Sequence, residues 1–187
     1  MKKILIIIFL SLCIFQMVVL ATAIDIGTTA EDGDDWWGVD NTYISINNVA
    51  NESGKITTVE IYAKDGQDLA GCEVATFIKV DADHWTTRDS EIVNNGVDGA
   101  GVVIGGSKKT FTVDLDVTAG DYIGIYFTSG QIESTSSGSG IEYHNGDNIP
   151  CTNVSGWSTV ANYTISLYAT GATVEVGTVN AIFWPNF

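Results

Sequence analysis

The 187 residues carry 8 basic against 23 acidic side chains, a net charge of −15, so the chain repels nucleic-acid phosphates and anionic lipid heads. Close to half of the residues are apolar, enough for one domain with a real core. Apolar residues nowhere recur at helical spacing between credible caps, which excludes a helical fold.

Lys2 and Lys3 precede an apolar run from Ile4 to Leu20, and Ala21-Thr22-Ala23 places small residues at cleavage-site spacing. That is the layout of a secretory signal peptide over residues 1–23, cleaved after Ala23. A retained membrane anchor is the competing reading, because the run approaches the length that spans a bilayer. Cleavage removes two lysines and leaves 164 residues with 6 basic and 23 acidic side chains, a net charge of −17. The expectation is one secreted domain over residues 24–187, with no membrane segment after cleavage and no nucleic-acid partner.

The mature chain opens with an acidic, aromatic stretch from Ile24 to Asp40. Strands are expected over Tyr43–Ile46, Lys55–Ala63 with a register break near Thr57, Glu73–Val80 and Trp85–Val93. Phe111, Val113, Leu115 and Val117 alternate with Thr112, Asp114 and Asp116. After Ala119-Gly120-Asp121, Ile123, Ile125 and Phe127 alternate with Tyr122, Gly124 and Tyr126. The expectation is one antiparallel hairpin, aliphatic on its inner face. Thr128–Gly140 is low in complexity and reads as a flexible surface loop. Short strands follow at Ile141–His144 and Tyr163–Ala169, another begins at Val174, and the chain ends on the apolar Ala181–Phe187.

Many short strands between Gly, Asn and Asp turns indicate an all-β, antiparallel two-sheet sandwich of jelly-roll type. The segments DLDVTAGDYIGIYF (114–127) and ISLYATG (165–171) resemble strand-turn-strand pieces of secreted and virion-associated jelly rolls. Tumour-necrosis-factor-like domains and carbohydrate-binding modules are among these. These two segments, 21 of the 187 residues, carry the resemblance. It implies the fold and carries no functional residue across.

Cys72 and Cys151 survive cleavage. An even pair in an oxidising compartment can form one disulfide; two buried thiols are the alternative. Asp32, Asp34 and Asp35 crowd one loop and Asp81 and Asp83 another, the oxygen-rich chemistry that calcium prefers, although neither loop has helix-loop-helix spacing. No nucleophile elbow, H-E-x-x-H pair or phosphate loop occurs, and His84 and His144 both adjoin turns. A non-enzymatic protein with no required cofactor is therefore expected.

Aromatic residues make the best ligand argument. Trp36 and Trp37 are adjacent, so an extended backbone sends them to opposite faces and one reaches a surface or groove. Tyr122 and Tyr126 flank Gly124, a gap able to receive a sugar face, with Trp85 and Trp157 near loops. The leading expectation is a secreted module that binds a glycan or cell-surface polymer through these rings. The second is a self-assembling filament or virion-surface subunit, joined as a homo-oligomer through its C-terminal strand. A polysaccharide hydrolase comes third. Asn51, Asn153 and Asn162 head N-glycosylation patterns, Asn162 within an expected strand.

Overall fold

Alternating apolar and polar side chains along short runs produce thirteen strands and no helix among the described residues. The computed structural model describes residues 21–174, of which Thr22–Val174 form one compact unit. In chain order the strands are β1 (Ala23–Gly27), β2 (Asp35–Trp37), β3 (Asn41–Ser45), β4 (Gly54–Tyr62), β5 (Glu73–Lys79), β6 (Trp85–Ile92) and β7 (Lys108–Val117). Then come β8 (Tyr122–Tyr126), β9 (Ile132–Thr135), β10 (Ile141–Asn145), β11 (Ser158–Val160), β12 (Thr164–Ile165) and β13 (Leu167–Ala172). Residues 1–20 of the expected leader and the tail from Glu175, including Ala181–Phe187, lie outside the described residues. β1 starts at Ala23, the last residue of the expected leader, and Thr22 already exchanges hydrogen bonds with Thr173.

All pairings are antiparallel. One sheet runs β1-β13-β4-β7, a second β11-β10-β3-β8-β5-β6, and a third, smaller one β12-β9-β2. The two larger sheets face each other across one core, consistent with a β-sandwich. Ile24, Ile26, Val59, Ile61, Phe111 and Leu115 from the first sheet meet Tyr43, Val74, Ile123 and Ile125 from the second. The register of β4 against β7 shifts between Ile56 and Thr58, beside the break expected at Thr57.

The central hairpin is a correction. β7 and β8 do not pair: β7 lies beside β4, while β8 lies between β3 and β5 in the opposite sheet. The Thr118–Asp121 turn therefore arches across the sandwich, and the two aliphatic faces meet through the core instead of side by side. Asp121 fixes the arch. Its buried carboxylate accepts from the Thr118 N–H at 2.8 Å and takes a bidentate grip from Arg88 on β6.

The outer face of the six-stranded sheet is covered as well. Residues 146–157 lie over it, and Ile44, Ala75, Phe77, Trp85, Ile149, Cys151 and Trp157 form a second apolar cluster there. This corrects the disulfide: Cys72 belongs to the inner core and Cys151 to the outer cluster, and both are free thiols. The two sulfurs sit in different layers, so no S–S geometry is reachable.

Both lateral edges of the β1-β13-β4-β7 sheet are closed by side chains. On β1, the Asn51 amide accepts from the Asp25 N–H at 3.0 Å and donates to the Ala23 carbonyl at 3.1 Å, doing the work of a neighbouring strand. On β7, the Asp114 and Asp116 N–H groups donate at 2.8 Å to the carboxylates of Glu91 and Asp89. Asn162 sits at positive φ in an exposed turn before β12, not within a strand as expected.

Candidate functional site

The stretch expected to be a flexible loop supplies the middle strand of the third sheet. β9 pairs with β2 through Asp35–Ser134, Trp36–Glu133 and Trp37–Ile132, and with β12 through Thr164–Thr135 and Ile165–Ser134. Alternation then sorts the side chains. Ile132 and Ile165 join the inner core, and Trp37 packs against it. The Trp37 indole donates to the Ser134 hydroxyl at 3.0 Å, and its ring lies 5.6–6.4 Å from those of Tyr43, Tyr143 and Tyr163. Trp37 is a structural anchor.

Trp36 and Glu133 share the opposite, outward face, as directly paired residues must. Trp36 is 46% exposed, and the Lys64 ammonium stands over its ring, 2.9 Å from the centroid. Lys64 arrives because the chain leaving β4 runs alongside β9: Ala63 bridges Ile132, and the Lys64 N–H donates to the Gln131 carbonyl at 2.9 Å. Alternation then turns Tyr62 and Lys64 outward on either side of the buried Ala63.

Glu133 is only 5% exposed although it faces outward. The segment before β2 lies over it. The Glu31 carbonyl accepts from the Ser166 hydroxyl at 2.7 Å, and Gly33 presses so close to the Ser134 backbone that no Cβ would fit. The carboxylate accepts a hydrogen bond from the Gly33 backbone, yet no ion pair reaches it among the described residues. Burial, then the neighbouring Asp32, holds its pKa above the ordinary glutamate value. Tyr62 reports the same surroundings: burial, Asp32 and Glu133 push its phenol up.

A carboxylate with a raised folded pKa keeps its proton to higher pH in the folded state than in the unfolded chain. The stability linked to that proton is fully present below the ordinary value of 4.5 and is lost as pH rises through the folded value. Glutamine cannot ionise. Glu133→Gln is therefore expected to melt about 2 °C above wild type at pH 7, with the gap closing under acid. Parallel thermal melts from neutral to acid pH check this, and a Gln variant that is less stable at neutral pH contradicts the sign.

The remaining expected ligand residues go elsewhere. Trp85 is fully buried: its indole donates to Glu142 at 2.7 Å and its ring meets the edge of Tyr122 at 4.8 Å. Trp157 is buried between Phe77 and His144 and donates to the Val154 carbonyl at 3.0 Å. Tyr122 and Tyr126 are half-buried against this outer cluster. The gap expected over Gly124 is filled, since a Cβ there would lie 2.7 Å from the Phe77 ring.

The acidic loops are engaged in turn-building. Asp34 grips the backbone N–H and hydroxyl of Ser136, which holds its carboxyl below the usual range. Asp35 bonds Tyr163 and accepts from the Trp36 N–H at 2.8 Å. Asp81 accepts from the Asp83 and His84 N–H groups and pairs with the His84 ring at 2.8 Å, while Asp83 accepts from the Gly156 N–H at 3.1 Å. No three His, Cys, Asp or Glu side chains converge into a metal-holding group among the described residues.

Sequence reasoning missed Glu133, Tyr62 and Lys64. Tyr62 was open to detection as the outward aromatic between inward Ile61 and Ala63. Glu133 was not, because three alternating residues inside a serine- and glycine-rich run carry too weak a signal. No family model, curated protein or solved structure matches this chain.

Proposed function

We propose that the protein is an exported, non-catalytic jelly-roll module that binds carbohydrate on the face formed by Trp36, Tyr62, Lys64 and Glu133. Export rests on the basic-apolar-small layout of residues 1–23. The jelly-roll reading is supported by strand order. Taken in sequence, β1, β3, β4, β5, β6, β7, β8 and β13 fall into the halves β1-β13-β4-β7 and β3-β8-β5-β6. Every connection but β5–β6 changes sheet, the winding expected of two interleaved Greek keys.

The third sheet is an addition to that scaffold, built from the excursions between β1 and β3 and between β8 and β13. Additions hung on a rigid sandwich are where binding surfaces are grafted. The observation that carries the reading is the half-exposed Trp36 ring beside a buried carboxylate that forms no ion pair among the described residues. An indole face stacks on the C–H face of a sugar ring, and a carboxylate accepts from its hydroxyls.

The test is a polysaccharide array and pull-down comparing wild type with Trp36→Ala and Tyr62→Ala. Loss of at least about tenfold in affinity with an unchanged melting temperature is expected for Trp36→Ala. Failure of the wild type to bind any polysaccharide removes the proposal. Self-assembly is less favoured, because side chains already occupy both edges of the β1-β13-β4-β7 sheet.

A further inference from the structure

Resting on that reading, we propose that the ligand is cationic: a polysaccharide with free amino groups, whose ring face displaces Lys64 from Trp36 and whose ammonium pairs with Glu133. Three observations meet at one spot. The exposed indole already holds a cation, since Lys64 lies over the ring and enters no ion pair among the described residues. Glu133, directly opposite Trp36 in the register, is nine-tenths buried, and among the described residues only the Gly33 backbone donates a hydrogen bond to it. The charges it feels are Asp32 and Asp35 against Lys64, so negative charge is in excess.

A buried carboxylate without an ion-pair partner is a standing cost, relieved by a ligand that brings a cation into contact with it. A neutral sugar does not relieve it and must still share the ring with Lys64. An amino sugar supplies both the apolar ring face and the charge. Lys64 then acts as a tethered cover for the indole until the ligand's sugar ring displaces it. An anionic polysaccharide would meet the carboxylates and is disfavoured.

Calorimetric titration with glucosamine oligomers, their N-acetylated counterparts and cello-oligomers, at about 0.15 M salt where diffuse attraction is screened, separates the cases. The glucosamine oligomer is expected to bind at least tenfold more tightly than either neutral oligomer. Glu133→Gln should weaken it about tenfold, whereas Lys64→Met should tighten it about threefold by removing the competing cation (order-of-magnitude expectations for one charge contact). Asp114→Asn, an exposed carboxylate on β7, should leave it unchanged.

Equal binding of neutral oligomers that still depends on Trp36 overturns the charge inference and leaves carbohydrate recognition standing. Weaker binding by Lys64→Met, or an equal loss with Asp114→Asn, also overturns it, the latter by exposing diffuse attraction. No binding to any of the oligomers overturns the charge inference, while carbohydrate recognition stands or falls on the polysaccharide array.

Discussion

Glu142→Ala is expected to destabilise the domain by about 3 kcal/mol, lowering the melting temperature by roughly 6–12 °C for a chain of this size. Glu142 is 4% exposed and anchors two partners drawn from different strands. One oxygen accepts from the Trp85 indole at 2.7 Å and the other pairs with Lys79. Alanine leaves a buried indole N–H without an acceptor and an ammonium, about 29% exposed at its side chain, without its partner. Glu142→Gln keeps one acceptor for the indole and should cost about half as much. Adding Lys79→Met to Glu142→Ala should recover part of the loss, because the stranded charge goes with it. Urea melts followed by near-ultraviolet circular dichroism, which senses the buried tryptophan, measure all three. A loss below about 1 kcal/mol would mean that the pair behaves as a surface contact.

Gly124→Ala should cost about 2–3 kcal/mol, an overpacking penalty on a central strand. Its Cβ would lie 2.5 Å from the Tyr43 carbonyl oxygen and 2.7 Å from Cε2 of the fully buried Phe77. Neither neighbour can withdraw: one is backbone inside a sheet, the other is hemmed in by Trp85 and Trp157. If the space over Gly124 were an open sugar groove, alanine would be neutral or would stabilise by about 0.5 kcal/mol through the unfolded chain. The two pictures therefore differ in sign. Phe77→Leu in the Gly124→Ala background should restore part of the stability by vacating the ring edge, and a double-mutant cycle quantifies that coupling.

The strands that the alternation marked are present. Phe111, Val113, Leu115 and Val117 all turn into the core along β7, and Val59, Ile61 and Ala63 do the same at the end of β4. Ala75 and Phe77 of β5 pack under residues 146–157. Period-two patterning is a local signal, so it survives without knowledge of the fold. Partner choice is another matter. The 118–121 turn reads equally well as a hairpin or as an arch, and only the distribution of all the strands sends β7 and β8 to opposite sheets.

The site divides along the same line. Adjacency in an extended backbone separates Trp36 from Trp37, but it does not say which ring is exposed. The fold decides by giving Trp37 the Ser134 hydroxyl and three neighbouring rings inside, and Trp36 the Lys64 ammonium outside. Trp85 and Trp157 lie near loops in the chain but are buried, because residues 146–157 cover them.

Composition and periodicity alone fixed the all-β class, the acidic surface and the inward side chains of the long strands, since each of these depends on residues close in the chain. The folded chain decided the rest. Glu133 meets Trp36 nearly a hundred positions away, and Cys72 never meets Cys151. Such pairings are set by how distant strands compete to bury their faces, and no local pattern records the outcome of that competition.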